Sequence, residues 1–115
     1  MARRNLTGAV DFAYLENFAA NDAKVIEEVL NLFREQAGIW SSMLDASAEG
    51  WRDAAHTLKG AARGIGANHL GELCAAAEGE GAQHLPDVLH ALDLVLADIA
   101  AYQHEQALQS LKTPR

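Results

Sequence analysis

The scarcity of proline in an alanine-rich chain constrains the fold more than any other feature. Pro86 and Pro114 are the only prolines among the 115 residues, so no proline obliges a helix to end before residue 86. Apolar residues recur at every third or fourth position and do not alternate as they would in a half-buried strand. No Asn-Gly hairpin signal interrupts the pattern. The sequence therefore predicts an all-α protein.

Apolar spacing and a capping signal predict the first two helices. A short first helix is predicted from about Val10 to Phe18. A long second helix should begin after an N-cap at Asn21 or Asp22 and end near Ala46. The residues expected to be buried along it are Val25, Val29, Leu32, Phe33, Ile39, Trp40, Met43 and Leu44.

Three further helices are separated by glycine-rich breaks. The third should run from Trp51 to the segment 64–66, the fourth from a cap at Asn68 to the segment 79–81, and the fifth should hold Pro86 in its first turn. Four long amphipathic helices with short connections predict an antiparallel up-down-up-down four-helix bundle, with the short first helix as a lid across one end. We expect residues 1–115 to form one domain, with an N-terminal arm over about 1–9 and a frayed tail over about 112–115.

The third helix has two chemically different faces. At about 100° per residue, its apolar residues fall within about 60° of Leu58. The opposite face, between about 100° and 200°, carries Arg52, His56, Lys59, Gly60 and Arg63. A neutral imidazole is a nucleophile at physiological pH, a neighbouring ammonium binds anions, and a glycine leaves room for a partner. The face is typical of a histidine that carries a phosphoryl group.

Glu78 is the candidate partner of that histidine. The third and fourth helices turn near Ala67, and both His56 and Glu78 lie eleven residues from it. In an antiparallel hairpin they should therefore stand at the same height. A carboxylate there accepts a hydrogen bond from one imidazole nitrogen, which fixes the tautomer and leaves the other, expected to be Nε2, free to attack phosphorus.

These residues carry a family resemblance. The stretch His56-x-Leu58-Lys59-Gly60, followed by Gly66-Ala67, Leu70, Cys74 and Glu78, resembles the histidine phosphotransfer (HPt) domains of bacterial multistep phosphorelays. The resemblance implies a stoichiometric carrier that takes a phosphoryl group from a receiver-domain aspartate and delivers it to another receiver.

The resemblance also implies roles for individual residues. His56 would be phosphorylated, Lys59 would stabilise the phosphoryl charge, Gly60 would give access, and Glu78 would orient the imidazole. The partners would be receiver domains of hybrid sensor histidine kinases and response regulators. Mg²⁺ would be held by the receiver, and this chain would need no cofactor of its own.

The partner-binding surface is expected to include Arg52 and Arg63 beside His56, together with Phe12 and Phe33 from the first two helices. These two arginines and Lys59 are three of only nine basic residues. They form a local positive strip that suits one small anion or an acidic partner surface. The family resemblance implies a monomer.

Composition argues against several other classes of function. A net charge of −7 does not suit nucleic-acid binding, and no apolar run is long enough to span a membrane. The single Cys74 excludes an internal disulfide and, with no secretory signal, suggests the cytoplasm. The histidines and Cys74 lack the spacing of a metal site.

Two other functions compete with the phosphocarrier. A histidine kinase would need an ATP-binding domain of well over a hundred further residues, so autokinase activity is not expected. A helical docking adaptor without phosphoryl transfer is the alternative reading. The combination of His56, Lys59 and Gly60 on one exposed face favours the phosphocarrier.

Overall fold

The computed structural model describes residues 6–112, which form five α-helices and contain no strand within that range. The helices are α1 (Phe12–Phe18), α2 (Ala23–Met43), α3 (Trp51–Gly64), α4 (Asn68–Glu80) and α5 (Leu85–Lys112), and a 3₁₀ turn (Ala82–His84) joins α4 to α5. Helices α2 to α5 form the predicted four-helix bundle, in which α2 packs against both α3 and α5, and α4 packs between α3 and α5. Most of the predicted arm and tail lies outside the described residues.

Helix boundaries follow the capping chemistry with two corrections. Asp22 caps α2, as predicted, by accepting hydrogen bonds from the N–H groups of Lys24 and Val25 at 3.0 and 3.2 Å. The helix ends at Met43 and not near residue 46, because the Asp45 carboxylate accepts hydrogen bonds from Ser47 and folds the chain into a turn. Asn68 is the first residue of α4 and makes no side-chain cap.

Helix α2 carries two apolar stripes, and only one of them is buried. The buried stripe is Ile26, Leu30, Phe33, Ala37 and Trp40. The second stripe precedes it by one residue at almost every step, which rotates it by about 100° around the helix. Five residues of this second stripe are exposed: Val25 (41%), Val29 (36%), Leu32 (57%), Ile39 (56%) and Met43 (36%). The prediction that these five face the core is therefore wrong, whereas Phe33, Trp40 and Leu44 are buried as predicted.

Helix α1 closes one end of the bundle. The Phe12 ring stacks on that of Tyr102 in α5 at a centroid distance of 4.2 Å. The Asp11 N–H donates to the Gly66 carbonyl oxygen at 2.9 Å, which ties the start of α1 to the α3–α4 turn. Gly66 has a φ of +86°, and a Cβ there would stand 2.8 Å from the Asp11 carbonyl oxygen, so both backbone conformation and space require glycine.

A buried carboxylate on α5 anchors the segment before α1. Asp98 is fully buried. Its Oδ1 accepts from the Thr7 N–H at 2.8 Å, and its Oδ2 accepts from the Ala9 N–H at 3.0 Å and from the Thr7 hydroxyl at 3.1 Å. Three donors thus replace the water that this charge loses on burial. The contact fixes residues 7–9 against α5 and leads Val10 into the core.

Candidate functional site

The predicted two-faced character of α3 is present in the structure. Its buried residues are Ala54, Ala55, Leu58 and Ala62. On the opposite side, the His56 side chain retains 68% of its accessible surface. Because the apolar stripe of α3 packs in the core, the opposite side of the helix, which carries the imidazole, faces solvent.

The α3–α4 hairpin brings Glu78 to His56. The distance between His56 Nδ1 and Glu78 Oε2 is 2.8 Å, and the Glu78 side chain is 20% exposed. An ionised carboxylate can only accept hydrogen bonds, so Nδ1 must carry the proton. In a neutral ring the lone pair then lies on Nε2. The equal spacing of the two residues from the turn at Ala67 therefore predicted a real contact.

Lys59 forms an ion pair with the other oxygen of the same carboxylate. Its Nζ lies 2.7 Å from Glu78 Oε1, and its side chain is 22% exposed. The Lys59 ammonium is the main cause that lowers the pKa of Glu78 below its ordinary value; partial burial opposes the effect and His56 adds to it. Glu78 is therefore ionised at neutral pH, as the assignment of the His56 tautomer requires.

Two arginines extend this cationic side of α3. Arg52 Nε donates to the Glu78 backbone carbonyl oxygen at 3.3 Å, and its guanidinium lies 4.5 Å from the centre of the Trp51 ring. The stem of Arg63 lies against Gly71 of α4, where a Cβ would come within 3.0 Å of its Cγ. Both arginines therefore lie, with Lys59, on the side of α3 that faces α4.

The other side of the His56 face is open. Gly60 and Gly64 are exposed, and a Cβ built on either would meet no atom within 4 Å. No neighbouring group in the described structure therefore fills the space beside the imidazole on this side. The absence of side chains at these positions leaves the α3 backbone accessible to another molecule.

Phe12 and Phe33 lie in the core and do not join the surface around His56. Their exposures are only 3% and 4%. Phe12 stacks on Tyr102, and Phe33 packs edge-on to Trp40 at 5.5 Å. This corrects the expectation that they line a partner-binding surface, since buried rings have no area to offer. Apolar spacing had placed Phe33 on the buried side of the second helix, and the structure confirms that placement and not the partner-binding one.

Cys74 is a small residue of the core. It is fully buried below the site. Burial, followed by the negative charge of Glu78, raises the pKa of its thiol to about 11. At neutral pH the thiol is therefore protonated and a weak nucleophile.

Comparisons with known proteins agree with this geometry. Residues 13–102 match the family model described as Hpt domain. The chain belongs to the Hpt domain family. The crystal structure of histidine phosphotransferase ShpA from Caulobacter crescentus is 60% identical to this Hpt protein, with a TM-score of 0.83, and the match covers 90% of this chain and 99% of that chain. No curated protein sequence matches significantly. The family assignment made from the sequence is confirmed, and membership supports a phosphocarrier role in a phosphorelay.

The described part of this Hpt protein contains neither a metal-binding cluster nor a helix that could span a membrane. Residues 6–112 include no group of three or more histidine, cysteine or acidic side chains placed to hold a metal ion. Over the same residues, no helix combines the length and the apolar character needed to cross a bilayer.

Proposed function

We propose that the protein carries a phosphoryl group on Nε2 of His56, accepted from the aspartyl phosphate of one receiver domain and passed to the aspartate of another. The observation that carries this assignment is the 2.8 Å contact between Nδ1 and Glu78 on an otherwise exposed ring. It leaves Nε2 as the nucleophilic nitrogen and directs it toward solvent. Glu78 is thus a positioning residue, and Lys59 supplies a cation beside the transferred group.

In the forward step, the Nε2 lone pair forms a bond to phosphorus. The bond between phosphorus and the donor carboxylate oxygen breaks, and its electron pair returns to the aspartate. The reverse step delivers the group to the second receiver. Mg²⁺ and its acidic ligands belong to the receiver in this proposal, and the protein acts as a monomeric, cytoplasmic carrier with no ATP-dependent autokinase activity.

The docking surface proposed here has two sides. On the α4 side of His56 stand Arg52 and Arg63, which suit an acidic rim around the receiver aspartate. On the α2 side, the open backbone at Gly60 and Gly64 leads to the exposed stripe of α2. That stripe lies on the α3 side, because Asn31 and Arg34 hydrogen-bond to Gln103 of α5 from the other side of the buried stripe. The apolar part of the docking surface is therefore assigned to the exposed stripe of α2 in place of Phe12 and Phe33.

The transfer proposal is tested by incubation with a phosphorylated receiver domain. We expect acid-labile, alkali-stable label on the wild-type protein and none on His56→Gln. Stable binding of the receiver without transfer would indicate the docking adaptor instead. Incubation with ATP alone should leave the protein unlabelled; label under that condition would contradict the absence of autokinase activity.

The docking surface is tested separately by a charge placed in the exposed stripe. Leu32→Glu should weaken receiver binding by at least about tenfold, since a buried unpaired carboxylate costs more than about 1.4 kcal/mol at an interface. Leu94→Glu is the matched control, because Leu94 is a 38% exposed leucine on α5. Calorimetry with an unphosphorylated receiver measures both. Equal weakening by the two variants would remove the exposed stripe of α2 from the surface.

A further inference from the structure

A single carboxylate serves two partners at this site. Glu78 Oε2 accepts from the His56 ring at 2.8 Å, while its Oε1 is paired with the Lys59 ammonium at 2.7 Å. Lys59 is only 22% exposed, so its ammonium rests on the carboxylate and is not extended freely into water. The cation that should stabilise a phosphoryl group is thus already neutralised before any phosphoryl group arrives.

We propose that phosphorylation exchanges these partners: Lys59 leaves Glu78 for the phosphoryl oxygens, and Glu78 becomes the counter-ion of the His56 ring alone. The inference rests on the proposed function, in that His56 is the residue that is phosphorylated. It adds that Glu78 and Lys59 are energetically coupled. Neither the orientation of the imidazole by Glu78 nor the stabilisation of the phosphoryl charge by Lys59 implies this coupling by itself. Glu78 then acts as a positioning residue for the lysine as well as for the imidazole.

The charge balance of the transfer explains why the exchange is favourable. The neutral ring enters with its proton on Nδ1 and its lone pair on Nε2. When the N–P bond forms and the donor oxygen departs with its electron pair, the Nδ1 proton stays and the ring becomes a cation. That cation requires the full charge of Glu78, while the new phosphoryl oxygens require a cation of their own. Each of the two charged groups already at the site meets one of these needs.

Geometry permits the movement. His56 and Lys59 are three residues apart on α3 and share its exposed side, which is the spacing at which helical side chains meet. A lysine has a flexible four-carbon stem and three donors, so it can change acceptors without a change in the helix. No backbone rearrangement is needed, and the carboxylate keeps its contact with Nδ1 throughout.

The exchange has a consequence that independent roles do not have. Removing Lys59 from the wild-type protein loses a cation at the phosphoryl group, but it also releases Glu78 to the ring, which offsets part of the loss. In a Glu78→Gln background the amide oxygen can still accept a hydrogen bond from Nδ1. The amide carries no negative charge, however, so the loss of Lys59 cannot free a counter-ion for the ring. Loss of Lys59 should therefore be more harmful in the glutamine background than in the wild type.

The experiment is a double-mutant cycle with phosphoramidate, a small phosphoryl donor that needs no docking surface. The rate of phosphohistidine formation is measured for the wild type, Lys59→Ala, Glu78→Gln and the double variant, with circular dichroism to verify that each is folded. We expect the factor lost on Lys59→Ala to be at least about threefold larger in the glutamine background, at the lower end of couplings between contacting residues. The same cycle with a phosphorylated receiver should give the same sign.

Arg63→Ala in the same two backgrounds is the matched control. Its side chain lies over Gly71 and supplies a similar positive charge one turn from Lys59, so its effect should be the same in both. Additive effects of Lys59 and Glu78, or coupling that Arg63 shares equally, would overturn the exchange. Absence of any wild-type label from phosphoramidate would also overturn it, because Nε2 would then not be presented. Label from phosphoramidate but not from a receiver would instead refute the proposed function and leave the cycle interpretable.

Discussion

The two neighbouring helices α4 and α5 each hold an important carboxylate, and their surroundings differ completely. Asp98 on α5 is fully buried, and its oxygens accept from the backbone N–H groups of Thr7 and Ala9 and from the Thr7 hydroxyl. Glu78 on α4 lies near the surface, and among residues 6–112 its oxygens contact the side chains of His56 and Lys59. Both carboxylates have close partners, but backbone N–H groups supply most of the first set and side chains supply the second.

The difference separates a carboxylate that anchors the chain, Asp98, from Glu78, the carboxylate for which we propose a role in phosphoryl transfer. Backbone donors are fixed by the path of the chain, so Asp98 keeps its partners as long as the N-terminal segment stays in place. Side-chain donors with solvent beside them can turn to another acceptor at small cost. The surroundings of Glu78 therefore suit a site whose charge changes during the reaction, whereas those of Asp98 suit a permanent anchor.

The largest effect that this comparison predicts is the loss of transfer on removal of the Glu78 carboxylate. Glu78→Ala should slow transfer from a receiver by about 10- to 100-fold, the usual cost of losing the group that orients a reactive histidine. The melting temperature should change little, because the carboxylate is near the surface and its ion pair is partly solvated. Transfer rates and thermal denaturation measure the two effects. Glu72→Ala is the control on the same helix, as Glu72 is 77% exposed; a comparable loss there would mean that the charge of α4, and not the contact with His56, matters.

At Asp98 we expect the opposite pattern, a loss of stability without a comparable loss of transfer rate. Asp98→Ala should lower stability by about 2 kcal/mol, because it removes hydrogen bonds to a charged acceptor and leaves donors at a buried position. For a domain of this size that is a fall in melting temperature of about 10 °C. Asp93→Ala, an exposed position on the same helix, should cost far less. If the rate of transfer per folded molecule fell as much as in Glu78→Ala, the division between anchor and site would be lost.

The smallest expected effect concerns the titration of Glu78 and its contribution to the pH dependence of stability. The Lys59 ammonium lowers the pKa of Glu78 below its ordinary value of 4.5. A lowered carboxyl pKa stabilises the fold above the ordinary value, and this contribution disappears as the pH falls through the pKa of the folded protein. Lys59→Ala should move the Glu78 titration, followed by NMR of its side-chain carboxyl, upward toward 4.5. An unchanged midpoint would show that Lys59 is not the principal partner.

The orientation of α3 in the α3–α4 hairpin could be predicted because one face of the helix is apolar and the other is polar. The residues around Leu58 are apolar and those around His56 are polar, so periodicity alone assigns inside and outside. The height of Glu78 followed from counting equal steps from the turn at Ala67. The ion pair between Glu78 and Lys59 was not predicted, since a lysine on an exposed face can extend in many directions.

Helix α2 shows where the same method fails. Leu30 and Leu32 are equally apolar in sequence, but the first is fully buried and the second is 57% exposed. Two apolar stripes about 100° apart are wider than one bundle core can cover. Periodicity cannot decide which stripe packs inside, because that depends on where α3 and α5 lie. The exposed stripe is the feature to which we assign the apolar part of the proposed docking surface.

The sequence by itself determined the all-α class, the exposure of His56 and its pairing with Glu78, because these depend on periodicity and on counting along one hairpin. Only the tertiary structure decided which stripe of α2 is buried, that Phe12 stacks on Tyr102 of α5, and that Asp98 anchors Thr7 across 91 positions of the chain. Those outcomes depend on contacts between distant segments, and local pattern carries no information about which distant segments meet.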